Sequence, residues 1–521
     1  MIKALFIGTS SACFELDTNS IYASPEEYEI LLDGEKIRTG DTNVFSLFEL
    51  KPDTDYALSV VMGGASDDMS FRTAKERCCA NVRDFGAVGD GVHEDTAAIQ
   101  TAINLLPDYS RLFFPAGIYL TFPLTLRSHI TLELAEGAVI SGSTERDRYP
   151  IVPTFTVDPV TGAELPLAGF EGQELNSYES LIQGSYIEDV TITGQGRIDG
   201  NGQKGDWWHG FADFPASRPR DIFLNRCKDV TIHGVTVANS PSWHIHPFFS
   251  DNVSLLNVHV TAPKDSPNTD AFDPESCNGV KVIGCRFSVG DDCIAVKSGK
   301  LDMARKFRTP ALNHEIRNCL MEFGHGALTL GSELAGGIKN VTVTKCLFRA
   351  TDRGLRIKTR RGRGRDSIIT NVVFDTIRME KVLTPIVINM WYNCCDPDRY
   401  TEYVWSREHL PVDDRTPHLG SFRFANMVCE DSEVAACYID GLPESPIDSV
   451  EMENITVSFA EEAREGVPAM QNFAQKRRKL GLYFDNVTSV AVKNVKLSGV
   501  DGDGLLTAHC GDVTTEGFES K

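Results

Sequence analysis

One short pattern keeps returning along this chain: a polar residue or Asn, then alternating Val, Ile and Thr. It reads Glu188-Asp189-Val190-Thr191-Ile192, Lys228-Asp229-Val230-Thr231-Ile232, Asp251-Asn252-Val253-Ser254-Leu255, Asn278-Gly279-Val280-Lys281-Val282 and Lys339-Asn340-Val341-Thr342-Val343, and again at Thr370-Asn371-Val372, Glu453-Asn454-Ile455 and Asp485-Asn486-Val487. Period-two alternation of β-branched residues predicts short strands. Renewal every two to three dozen residues predicts a repeating stack rather than a sandwich or a βαβ array. The steps from Val230 to Val253, Val253 to Val280 and Val280 to Ile316 are 23, 27 and 36 residues, a drift expected of loops inserted into a regular stack. The fold class expected is all-β: a right-handed parallel β-helix, preceded by a small N-terminal β-sandwich.

The first 76 residues have a different rhythm. Glu29-Ile30-Leu31-Leu32, Val44-Phe45-Ser46-Leu47 and Tyr56-Ala57-Leu58-Ser59-Val60-Val61 alternate between turns such as Asp33-Gly34, as in a short sandwich. Leu50-Lys51-Pro52-Asp53-Thr54-Asp55-Tyr56 resembles the tyrosine corner of fibronectin type III domains, which implies a domain over 1–76 that packs on or caps the solenoid of 77–521. Past the junction, Ala98, Ile99, Ala102 and Ile103 form an apolar helical stripe, with Asp95 or Thr96 as N-cap. This helix is expected to plug the open end of the stack, whose core and strand edges need cover.

Length and composition, with 521 residues, 41% hydrophobic and 24% charged, fit a large globular protein. No apolar run approaches 18 residues, so no membrane span is expected, and the opening Met1-Ile2-Lys3-Ala4-Leu5-Phe6-Ile7 reads as a first strand rather than a leader. The 14 cysteines include the adjacent pairs Cys78-Cys79 and Cys394-Cys395 but no C-x-x-C spacing, which argues against a zinc or redox site. Cys227, Cys277, Cys285, Cys319 and Cys346 fall beside the repeated strands, where buried, unpaired thiols are expected, and the cytoplasm is the expected compartment.

Against this scaffold four strings stand out: Asn268-Thr269-Asp270, Gly290-Asp291-Asp292, Gly324-His325-Gly326 and Arg356-Ile357-Lys358. Asp270 and Asp291 are 21 residues apart (291 − 270), about one coil, and neighbouring strands lie about 4.8 Å apart. The carboxylates are therefore expected to share one patch of surface. Glycoside hydrolysis needs such a pair, one carboxyl to protonate the leaving oxygen and one carboxylate to activate water. Asp291 and Asp292 are adjacent, so ionising both is costly and one pKa is expected to rise. Arg356 and Lys358 alternate onto one strand face, and fixed cations suit a uronate carboxylate.

Taken together, these strings resemble the polygalacturonase family, glycoside hydrolase family 28, from about Cys79 to the C-terminus. Gly331-Ser332-Glu333-Leu334-Ala335-Gly336-Gly337, Ser240-Pro241-Ser242-Trp243-His244-Ile245-His246-Pro247 and the fibronectin-like start look like its exo-acting bacterial branch. The resemblance implies Asp291 as general acid, Asp270 and Asp292 positioning and deprotonating the water, and an inverting reaction. It further implies an assisting His325 and substrate contacts from Asn268, Arg356, Lys358 and Tyr392, the last also readable as a core aromatic. No cofactor or metal is implied.

A net charge of −22 would repel an acidic polymer at long range. Yet Arg353, Arg356, Lys358, Arg360, Arg361, Arg363 and Arg365 place seven cations in thirteen residues without an acid, read here as a clamp for galacturonate rather than a nucleic-acid face. The expected partners are galacturonate oligosaccharides or pectin fragments, with no nucleic acid or membrane, and oligomerisation left open. Long insertions at Ile151 to Ser180, Asn201 to Asp221 and Asn393 to Leu419 are expected to close one end of the groove and give exo action. The rival functions are a rhamnogalacturonan or xylogalacturonan hydrolase, a pectate lyase, and a non-catalytic carbohydrate-binding solenoid.

Overall fold

The computed structural model describes residues 1–393 and 401–521. From Cys79 onward the chain winds into a right-handed parallel β-helix whose coils carry up to three strands each. One row contains the repeated pattern, for example Lys228–His233, Asp251–Leu256, Asn278–Ile283 and Ala311–Arg317. The residue before each Val turns the corner with a left-handed backbone: φ is 55° at Asp189, 53° at Asp229 and Asn252, 74° at Gly279, 61° at Asn340, 56° at Asn371 and 54° at Asn454. Asn, Asp and Gly tolerate that region best, which is why the pattern has those residues there. Their side chains then form a ladder up the outside: Asn340 Nδ2 donates to Asn313 Oδ1, and Asn371 Nδ2 to Asn340 Oδ1, each at 2.8 Å.

Register corrects one step of the period. Val280 pairs with His314, not Ile316, whose partner is Val282. The coil between them is 34 residues (314 − 280), and a histidine occupies a Val position inside the core.

The N-terminal segment forms two antiparallel sheets, a three-stranded one (Ile2–Ile7, Ala12–Leu16, Val44–Leu47) and a four-stranded one (Ala23–Leu32, Glu35–Thr42, Asp55–Met62, Ala65–Arg72). Phe14, Tyr28, Ile30, Phe45, Leu58, Val60 and Phe71 fill the space between them. The Lys51 N–H donates to the Tyr56 hydroxyl at 2.8 Å, the bond a tyrosine corner requires. This unit packs on the flank of the helix. Glu15 accepts two bonds from Arg317 at 2.8 Å each, and Ser46 lies 2.8 Å from buried His233.

The helix Thr96–Leu105 buries Ile99, Ala102 and Ile103 against the end of the solenoid core, as a plug does. Its capping differs from expectation. Asp95 occupies the cap position, but its carboxylate accepts from the Val88 and Gly89 N–H groups at 2.7 and 3.0 Å and fixes the preceding loop instead. Thr96 lies inside the helix and its hydroxyl accepts from the Phe122 N–H. Cys227, Cys277, Cys285, Cys319 and Cys346 are buried and unpaired. Cys394-Cys395 lie outside the described residues.

Candidate active site

A third row of strands runs the length of the helix: Ile245–Phe248, residues 272–275, Ile294–Val296, Leu328–Gly331, Arg353–Lys358, Thr384–Asn389 and onward. Phe272 pairs with Ile294, and Ile294 with Leu328. Asp270, Asp292 and Gly326 each stand two residues before these apolar anchors. Asp292 is therefore one rung from Asp270, and His325 one rung from Asp291. Backbone bonds fix the stacking, from Ala271 N–H to Asp292 O at 3.1 Å and from His325 N–H to Asp291 O at 3.2 Å. The flanking glycines are sterically required: a Cβ at Gly324 would meet Asp291 O at 2.5 Å, and one at Gly326 would meet Asp292 Oδ1 at 2.9 Å.

The outcome is a cleft of about 370 Å3 lined by all eight residues singled out above, Asn268, Asp270, Asp291, Asp292, His325, Arg356, Lys358 and Tyr392. Asp270, Asp291 and Asp292 each place an oxygen within 4.8 Å of the others. Asn268 Oδ1 accepts from Arg218 at 2.6 Å, and the Tyr392 ring lies 5.8 Å from Lys358 Nζ. Tyr392 is only 5% exposed, so it is packed in the wall and faces the cleft at once.

Electrostatics redistribute the protons differently from the expectation drawn from adjacency. Burial disfavours the Asp292 carboxylate, but Lys358 at 2.9 Å and Arg356 at 3.0 Å overcome it and hold the group well below the usual carboxylate range. The carboxyl pushed well up is Asp270, by burial first and then by Asp273 and Asp291. Asp273, three residues further along the same coil and fully buried, is likewise raised by burial, to about 7. His325 is 52% exposed at its side chain and sits 2.8 Å from Asp352 Oδ2; that hydrogen bond raises its pKa, with Asp291 and Asp292 adding to the effect.

The seven-cation clamp is smaller than expected. Arg353, Arg356 and Lys358 line the cleft, whereas Arg360, Arg361 and Arg363 are buried in the wall and Arg365 is exposed elsewhere. Arg361 pairs with Glu444 at 2.6 Å and lies 5.0 Å from the Trp391 ring, so its charge is spent on holding coils together.

Sequence reasoning gave no site role to Lys297, Asp352, Glu171 or Met470, nor to Glu333 and Trp243, which it noted only within the strings resembling the exo-acting branch; all six line the cleft. The signal for Lys297 was available: a lysine ends the otherwise apolar strand Ile294-Ala295-Val296. The insertions behave unequally. The first sends Glu171 to the cleft, and the second sends Arg218 to Asn268. The third is described only at 393 and from 401, where Tyr403 and Ser406 carbonyls accept from buried Arg361 rather than facing the cleft. A segment outside the three insertions also lines the cleft through Val467 and Met470, where Arg353 donates to the Val467 carbonyl at 2.7 Å.

Asp270, Asp291 and Asp292 offer three ligand atoms to a cation. Two of the three carboxylates already face Lys297, Arg356 or Lys358, so the donor set suits proton transfer better than a hard divalent ion.

Residues 160–465 match the family described as glycosyl hydrolases family 28, and residues 79–133 match a family described as rhamnogalacturonase A/epimerase, pectate lyase-like. A probable polygalacturonase of Vitis vinifera is 32% identical over 399 residues, 74% of this chain and 75% of its own length. An endo-polygalacturonase of Pectobacterium carotovorum subsp. carotovorum is 27% identical over 311 residues, 57% of this chain and 72% of its own. Among solved structures, the Yersinia enterocolitica family 28 exopolygalacturonase superimposes with a TM-score of 0.67 at 20% identity, covering 100% of this chain and 98% of that one. A Thermotoga maritima exopolygalacturonase gives 0.60 at 26% identity, covering 77% and 93%. With more than half of its length matched and the four strings assembled in one cleft, the chain belongs to the glycosyl hydrolases of family 28.

Proposed function

We propose that this protein is an exo-acting polygalacturonase that releases α-1,4-linked galacturonate from chain ends with inversion. The observation that carries the reading is the meeting, in one cleft, of three carboxylates within 4.8 Å with the cations of Arg353, Arg356 and Lys358. Asp291 donates its proton to the leaving oxygen. Asp270 and Asp292 hold and deprotonate the attacking water, with Asp292 kept ionised by its two cations. Uronate carboxylates are met by the same cationic strand, a contact a neutral sugar lacks.

Exo action is supported by the long insertions that reach the cleft, the first through Glu171 in its lining and the second through Arg218, which holds Asn268. The likeness to the Thermotoga exopolygalacturonase points the same way. Carboxylates this close lie nearer the separation usual for retention than for inversion, so stereochemistry is a sharp part of the proposal. A reducing compartment is also proposed, on the strength of the buried, unpaired thiols.

Time-resolved digestion of polygalacturonate tests the reading. A single small saturated product from the first turnovers, with little fall in viscosity, is expected. A rapid viscosity drop with a ladder of oligomers overturns exo action, and an unsaturated product overturns hydrolysis in favour of elimination.

A further inference from the structure

Beneath the cleft lies an ammonium group that the scheme above leaves without a task. Lys297 follows the strand Ile294–Val296, pairs across the row with Glu275, and is 4% exposed. Its Nζ lies 3.3 Å from Asp273 Oδ1, 3.3 Å from Glu333 Oε2 and 4.0 Å from Asp270 Oδ2, with the Trp243 ring centroid at 4.5 Å. Burying a cation is unfavourable unless carboxylates surround it, and breaking such a cluster strands the remaining charges. Three acids from the two coils that flank its own, Asp270 and Asp273 on one and Glu333 on the other, converge on this one group. An apolar side chain would serve a purely structural purpose at the same position.

We propose that Lys297 is a positioning residue for hydrolysis: its ammonium favours the ionised form of the Asp270 carboxylate, against burial and three neighbouring acids, and fixes that carboxylate toward the attacking water. The inference rests on the reading of Asp270 as part of the base. The surroundings give Lys297 that task. Asp273, Asp291 and Asp292 all face Asp270 and oppose its ionisation, as does its burial. Arg218 also feels the Asp270 charge, but its guanidinium donates its hydrogen bonds to Asn268 and to the Pro241 and Pro267 carbonyls. Glu333 shares Lys297 and also feels Lys358, Lys300 and Arg363. Glu275, raised to about 8 by burial and then Glu333, stands beside neutral His246 at 3.1 Å and adds no cation near Asp270. Lys297, with its Nζ 4.0 Å from Asp270 Oδ2, is therefore placed to favour the ionised form of Asp270.

The sign follows. A base must be ionised, so removing the cation lifts the pKa of Asp270 and moves the acid limb of the pH–rate profile upward. The test measures kcat/KM against pH on an oligogalacturonate, together with thermal unfolding, for Lys297→Met, Lys297→Arg and Asp273→Asn. Lys297→Met is expected to move the acid limb up by about one pH unit or more, lowering kcat far more than it changes KM. Lys297→Arg restores most of the limb. Asp273→Asn removes a competing carboxylate and moves the limb down, which keeps the inference exposed even if Lys297→Met does not fold. A folded Lys297→Met whose loss is equal at every pH, or an Asp273→Asn limb that stays put or rises, overturns it. Asp270→Asn separates the two ideas: retained activity there sinks the base assignment itself, whereas an inactive Asp270→Asn with an unmoved Lys297→Met limb sinks only the role of Lys297.

Discussion

Asp270 and Asp292 sit one rung apart and have opposite charge preferences, because only Asp292 has two cations at hydrogen-bond distance. That arrangement gives substitutions at the cleft distinct signatures. Asp291→Asn is expected to lower kcat by about 10²–10⁴-fold with unchanged thermal unfolding, since it removes only the proton donor; a variant above about a tenth of the wild-type rate removes Asp291 from that role. Arg356→Ala and Lys358→Ala touch two functions at once. Each weakens uronate binding by about tenfold to a hundredfold, the worth of a charge-assisted bond, and each also frees Asp292, so kcat falls as KM rises. Equal weakening toward a neutral galactose oligomer would show that these cations serve the fold alone. At His325 the hydrogen bond that Nδ1–H donates to Asp352 raises the pKa, so Asp352→Asn is expected to lower it, read directly from the imidazole NMR titration. Asn268, the three aspartates, His325, Arg356 and Lys358 were legible because short motifs at coil spacing carry them. Tyr392 came from the resemblance alone, and the run from Arg360 to Arg365 misled because charge does not show which face is buried. Lys297 and Glu333 were not legible, since their meaning lies in three coils converging on one buried point.

At the scale of the element, the pattern that reveals the solenoid is the signature of its corner. The residue ahead of each Val must accept a positive φ, and the Asn side chains there bond from rung to rung. Asn340→Ala loses bonds to Asn313 and Asn371 and puts a Cβ in the left-handed region without compensation, for a destabilisation of about 1–3 kcal/mol. Asn340→Gly loses the same bonds but not the backbone fit, so its urea midpoint is expected to fall less; the reverse order would contradict the corner account. His314 is the exception within a strand row. It occupies a Val position between Val280 and Val341, neither ring nitrogen has a hydrogen-bond partner among the described residues, and burial pushes its pKa down to about 3. A histidine held neutral in the fold but charged when unfolded contributes stability above pH 6.5 that is lost as pH falls toward 3. His314→Val is therefore expected to raise the unfolding temperature by an amount that grows below pH 6.5. A constant difference across pH would show that the ring is not the acid-sensitive group. Periodicity alone could not place His314, because a polar residue at a core position hides the repeat it belongs to.

Over the whole molecule, the sandwich grips the flank of the helix through Arg317, Asn318 and His233, and none of its residues lines the cleft. Its strands were legible from alternation; its docking was not, since the pairs span 187 residues of sequence between Ser46 and His233 and 302 between Glu15 and Arg317. The cleft walls were half legible. Long insertions announce a wall, but which segment folds back over the row depends on packing, and Val467 and Met470 line the cleft from outside the three insertions. The account as a whole depends on direct hydrolysis by paired carboxylates, and the most direct measurement of that is proton NMR of a short galacturonate oligomer during its first turnovers. A saturated galacturonate product appearing first as the β-anomer, and then mutarotating, is the predicted result; the α-anomer appearing first, or an unsaturated product at any time, would contradict it.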